Sequence, residues 1–357
     1  MAVTVKSARE LGLMRDSGKI LAEVHAKLGE FVKPGISTLE IDQLGEKLIR
    51  GYDCVPNFLH YNGYPASICV SVNDEVVHGI PKADRILQEG DIVSLDAGLI
   101  YKGYHSDAAR TYPVGKVSEE AQLLIDRTKQ SFFEGIKMAV AGNHLYDISA
   151  AIGNYAESFG YGVVRDLVGH GIGTSLHEDP QIPNFPQKRR GIKLMPGMTL
   201  AVEPMINLGR ADVAWLDDEW TVVTMDGSLS AHYENTILIT DGEPEFYQKL
   251  DYTSQPFTGT GTEEDPYVFL VSSAKGKVTV MGSFFNRMAG YSADGTKVVQ
   301  EGGSWFQLEF HENDTIADFQ DRTLSCTGYY LIDGSLLENP VYMYAETEFT
   351  LDEASKY

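Results

Sequence analysis

Apolar residues recur at helical spacing early in the chain, where Ile20, Leu21, Val24, Leu28 and Phe31 fall on one face of a helix. Ser37-Thr38-Leu39-Glu40 has the form of a capping box. In that motif a hydroxyl and a carboxylate each satisfy a backbone amide that the first helical turn leaves unpaired. It opens a second helix with Ile41, Leu44 and Leu48 turned inward. Helical periodicity returns over residues 118–139 and 145–158. Apolar, β-branched runs follow each helix pair and predict strands: Ile68–Val72 and Asp91–Leu95 after the first, Met198–Val202 and Thr236–Ile239 after the second.

The two halves read as one motif used twice. Gly35 and Ile41 are echoed by Gly142 and Ile148, and Leu87, Gly90, Ile92, Val93, Leu95 and Asp96 by Leu194, Gly197, Thr199, Leu200, Val202 and Glu203. All are offset by 107 residues. A duplicated helix–helix–strand unit related by a pseudo-twofold axis brings the terminal acids, Asp96 and Glu203, together in a central sheet.

Beyond residue 249 the pattern changes. Residues 251–266 are rich in Gly, Pro, Thr and Ser and predict a linker between a domain over 1–250 and one over 267–357. Short β-branched and aromatic runs follow: Tyr267–Val271, Lys277–Phe285, Trp305–Phe310, Thr327–Ile332 and Val341–Phe349. They predict a small all-β, sandwich-like domain. The fold class is α+β with this β module appended.

Charge removes one class of function. The net charge of −22 and pI near 4.7 argue against binding a nucleic-acid backbone, which needs a basic footprint. Three scattered cysteines, Cys54, Cys69 and Cys326, fit a reducing compartment. The N-terminal residues lack the apolar core of a signal peptide, and no run is long enough to span a membrane. These features point to the cytoplasm.

Asp96 and Asp107 bracket a segment, Asp96-Ala-Gly-Leu-Ile-Tyr-Lys-Gly-Tyr-His-Ser-Asp107, that reads as a hairpin bringing two carboxylates across from each other. Either aspartate alone reads better as a turn or cap residue. Facing carboxylates repel, and they stay ionised together only around a cation. The second half adds His170 in a glycine-rich loop, Glu203 and Glu234. Four carboxylates and one imidazole describe a site for two divalent ions of the Mn, Co, Fe or Zn kind.

The set Asp96, Asp107, His170, Glu203 and Glu234, with His78 in Val-Val-His-Gly-Ile-Pro and His177 in Ser-Leu-His-Glu-Asp-Pro, resembles that of the bacterial type I methionine aminopeptidases. The resemblance runs from residue 1 to about 248. It implies the pita-bread (creatinase/aminopeptidase) fold and removal of initiator methionine from nascent proteins when the second residue is small. Prolidase and aminopeptidase P carry a large domain before the metal-binding half, and here Asp96 comes too early for one. The type II methionine enzymes carry a helical insertion between the last two glutamate ligands, and the interval from Glu203 to Glu234 has no room for it.

By the same resemblance Asp107 and Glu234 bridge the two metals, Asp96 binds one, and His170 with Glu203 binds the other. Glu203 doubles as the proton carrier. His177 stabilises the developing oxyanion and His78 the scissile amide. The methionine pocket falls to Phe58, Tyr61, Tyr64, Cys69, His78, Leu176, His177 and Trp220. Phe58 stands where the family often has cysteine, and Leu176 where it often has phenylalanine, which puts the pocket's width in question. The implied partners are methionyl peptides, with the ribosome as a candidate, for a monomer. Two rival readings are a non-catalytic peptide-binding relative and an X-Pro dipeptidase.

Overall fold

The structure, a computed structural model, describes residues 3–247 and then the strands between 267 and 350. Contacts divide the chain into two units, Met1–Leu250 and Asp251–Tyr357.

In the first unit a helix pair packs on a sheet twice over. Helices α1 (Ala8–Phe31) and α2 (Thr38–Gly51) bury Leu21, Val24, Leu28, Ile41 and Ile49 against Ile68, Val70, Val93, Leu95 and Leu99. Helices α3 (Glu119–Ile136) and α4 (Leu145–Glu157) bury Phe132, Ile148 and Ile152 with Ile182, Leu200, Val202 and Ile237. The capping box at Ser37 is formed: its backbone N–H donates to Glu40 at 2.7 Å, and Glu40 N–H donates to the Ser37 hydroxyl at 3.2 Å.

The 107-residue offset is written into the backbone. Gly35 N–H donates to Leu87 O at 2.8 Å, and Gly142 N–H to Leu194 O at 3.0 Å. The isolated bridge Ser37–Ile86 has its counterpart in His144–Lys193. Gly35 and Gly142 have φ of 91° and 96°, a region open to glycine, so the same turn precedes the second helix of each pair.

The first sheet is built on the strand Ile92–Tyr101, flanked by Ile68–Val72 and Tyr104–Pro113, with Val55–Pro56 on its far end. The apolar run predicted to stop at Leu95 continues to Tyr101, because Lys102 and Gly103, both at positive φ, close a two-residue hairpin. Asp96 therefore lies mid-strand. The second sheet orders Glu245–Phe246, Asn235–Leu238, Thr199–Val202, Gly169–Gly171 and Glu178–Ile182, all antiparallel.

Tyr104–Pro113 joins the two halves. Glu234 N–H donates to Ala109 O at 2.9 Å, Asp107 N–H to Thr236 Oγ1 at 3.0 Å, and His232 N–H to Thr111 Oγ1 at 2.9 Å. Among the described residues no helix is long and apolar enough to cross a membrane.

In the second unit Ser304–His311 pairs with Tyr267–Leu270 in parallel and with Ala274–Gly282 antiparallel. Ala289–Tyr291 pairs with Lys297–Val299, and Thr323–Leu331 with Tyr342–Thr350. The linker expected over residues 251–266, and the connections a sandwich would need, lie outside the described residues.

Candidate metal centre

Each acid is placed by a strand. In the hairpin Asp96 pairs with Ala109, and Gly98 with Asp107. The two aspartates are thus diagonal neighbours on one face, rather than directly opposed as the sequence suggested. Gly98 makes this arrangement possible. A Cβ there would stand 2.8 Å from Asp107 Oδ1 and 2.2 Å from Asn57 Nδ2. Asn235 pairs with Val202, so Glu203 and Glu234 leave neighbouring strands side by side. His170 pairs with Ala201 one strand further on.

The side chains converge. Single donor atoms of Asp107, His170 and Glu234 lie within 4.8 Å of one another, as do those of Glu203, His232 and Glu234. The Asp96 and Asp107 carboxyls interact with each other. His170 Nε2 is 3.6 Å from Glu203 Oε1. His170 Nδ1 lies 2.9 Å from Gly171 O, a contact that assigns the proton to Nδ1 and leaves the Nε2 lone pair facing the acids.

Burial acts first on every charge here. It pushes Asp96 up to about 7 and Glu203 up to about 8, and with the neighbouring carboxylates it holds Asp107 and Glu234 well above the usual range. Burial also lowers His170 to about 3 and His78 to about 4, so both imidazoles are neutral. Asp96 Oδ1, Asp107 Oδ1, Glu234 Oε1 and His232 Nε2 are buried without a hydrogen-bond partner. Orphaned acceptors on packed carboxylates are costly unless a cation neutralises them. The donors are carboxylate oxygen and neutral imidazole, the chemistry that hard and borderline divalent ions accept. The residues fit a divalent-metal site. The Arg110 guanidinium is engaged elsewhere: it donates to Ala109 O, Glu234 O and Asn235 Oδ1 and lies 4.3 Å from the centroid of the Tyr233 ring.

An apolar cluster adjoins the acids. Cys69 pairs with Asp96 across two strands, and it clusters with Phe58, Tyr64 and Leu176, while Tyr61 and Trp220 pack at the edge. Trp220 stands edge-on to Tyr64 at 5.1 Å and to His78 at 6.2 Å. The Tyr61 hydroxyl is 2.7 Å from His177 Nδ1, and the His177 ring is 4.3 Å from that of His170. The structure thus gathers all the residues singled out from sequence. It adds His232, which sequence reading missed. Its signal was present: His232 stands two residues before Glu234, and alternation along an extended chain turns both to one face.

Residues 12–241 match metallopeptidase family M24. The methionine aminopeptidase of Clostridium acetobutylicum is 53% identical over 243 residues, which are 68% of this chain and 97% of the relative. The crystal structure of methionine aminopeptidase from Thermotoga maritima superposes with a TM-score of 0.68 at 42% identity, covering 70% of this chain and all of that one. The prolidase of Pyrococcus horikoshii shares the fold at 21% identity and a TM-score of 0.55, with 69% of this chain and 62% of that one covered.

Proposed function

The chain belongs to metallopeptidase family M24, and on that premise we propose how its converging acids and apolar cluster divide the work of peptide hydrolysis. The protein has the pita-bread fold and is a methionine aminopeptidase, a hydrolase that depends on divalent metal ions and acts on peptides. The observation that carries the reading is a cage of four carboxylates, Asp107 and Glu234 buried and Asp96 and Glu203 partly buried, with His170 and against an aromatic cluster, the two meeting at the Asp96–Cys69 strand pair.

In this reading Asp107 and Glu234 would hold both ions, Asp96 would hold one, and His170 with Glu203 would hold the other. When bound, such ions polarise a carbonyl and make water acidic enough to ionise near neutral pH. The cluster of Phe58, Tyr64, Cys69, Leu176 and Trp220 takes the methionine side chain, since a thioether gains from dispersion and sulfur–ring contacts. That fixes the first carbonyl beside the acids. Glu203 accepts the proton of the attacking water and passes it to the leaving amine. His177, oriented by the Tyr61 hydroxyl, donates to the carbonyl oxygen as charge gathers there. His78 steadies the scissile amide. A second residue with a large side chain would crowd this geometry, so small ones are preferred.

Nascent proteins, met by a cytoplasmic monomer at the ribosome, are the substrates this reading favours. Peptides beginning Met-Ala, Met-Leu and Ala-Pro, offered with added Mn or Co, test it. We expect Met-Ala to be cleaved at least about tenfold faster than either other peptide. Preference for Ala-Pro would instead point to a dipeptidase.

A further inference from the structure

His232 is 2% exposed, and its Nε2 has no partner. The other three orphaned atoms of the site are carboxylate oxygens, so His232 brings a nitrogen into a cage of acceptors. Glu203 stands between two imidazoles, with Oε1 3.6 Å from His170 and Oε2 3.6 Å from His232. The backbone holds both residues in place. His232 pairs with Met205, two residues past Glu203, and Tyr233 N–H donates to Pro204 O at 3.1 Å. Thr111 both accepts from His232 N–H and donates to its carbonyl at 3.0 Å. Only the side-chain gap remains, about half an ångström beyond a hydrogen bond.

We propose that His232 is a positioning residue for Glu203: its Nε2–H donates to Oε2 and keeps Oε1 turned toward His170. The carboxylate then presents a single oxygen to the reacting centre, and it cannot rotate away as it takes and releases a proton. The inference rests on the reading of Glu203 as a ligand and proton carrier.

Two variants separate the donor from the volume it fills. His232→Leu fills the space without an N–H, and His232→Gln restores one. With cobalt-loaded protein and a methionyl-alanyl peptide, the leucine variant should lose at least about tenfold in kcat with KM within about twofold. The glutamine variant should recover to within about threefold of wild type. Both should keep the bound cobalt of the wild type. Should the leucine variant fail to fold, His232→Met takes its place.

Wild-type kcat in the variant without a donor, or a glutamine variant as slow as leucine, overturns the proposal. Loss of bound cobalt from the folded leucine variant overturns it too, by making His232 a metal ligand. Glu203→Gln, measured alongside, keeps the two readings apart. If it turns over like wild type, the role given to Glu203 fails and takes this inference with it. If it is slow while His232→Leu is not, the inference about His232 fails alone.

Discussion

Among single residues, those assigned to both ions should differ in behaviour from Glu203. Asp107→Ala or Glu234→Ala removes a carboxylate that in the proposed site would be shared by two ions, and elemental analysis should find the bound metal lost together with activity. Glu203→Gln keeps an oxygen donor but cannot carry a proton, so it should retain metal while kcat falls about a hundredfold or more. A separate effect belongs to His25 on α1, fully buried, with Nε2 2.7 Å from Ala108 O. Burial, reinforced by Arg110, lowers it to about 3 from an unfolded value near 6.5. It is neutral when folded and gains a proton only on unfolding. Its contribution is therefore complete above pH 6.5 and declines as pH falls toward 3, by about 2 kcal/mol at pH 5. Urea unfolding at pH 7 and pH 5 should show this loss in the wild type and less of it in His25→Gln.

At the level of elements, the contact of α1 with the end of the second sheet can be tested directly. A Cβ on Gly18 would stand 2.4 Å from Tyr247 Cβ and 2.6 Å from its backbone, which cannot retreat as a flexible side-chain tip could. Gly18→Ala should cost about 1–3 kcal/mol in urea unfolding despite alanine's better helix propensity. Local signals such as these vary in how much a sequence reveals. The helices were legible because their apolar spacing and capping residues are local, and the duplication because glycine turns recur at one offset. Asp96 and Asp107 were legible as a pair, yet their diagonal register was not, since it depends on where the Lys102-Gly103 turn closes. His232 was hidden for a different reason. Its meeting with Glu203 depends on the pairing of two three-residue strands, Met205–Asn207 and Ser230–His232, too short to leave a periodic trace. The clustering of Tyr61, Tyr64 and Trp220 around His78 and His177 is likewise long-range, and only the family resemblance pointed to it from sequence.

In the molecule as a whole, two half-domains, each built around a helix pair and a sheet, bring acids from both into a core that needs cations. Net charge does not show this, because a value of −22 counts the acids without regard to where they lie. What matters is that four of them converge, with Asp107 and Glu234 buried and Asp96 and Glu203 partly so. The direct test is to strip the protein with a chelator and titrate Mn or Co back by calorimetry, assaying a Met-Ala peptide at each addition. We expect no cleavage by the stripped protein, activity that rises with ion binding, and saturation near two ions per chain. Full activity in the metal-free protein, or no binding by protein that remains folded, would contradict the account.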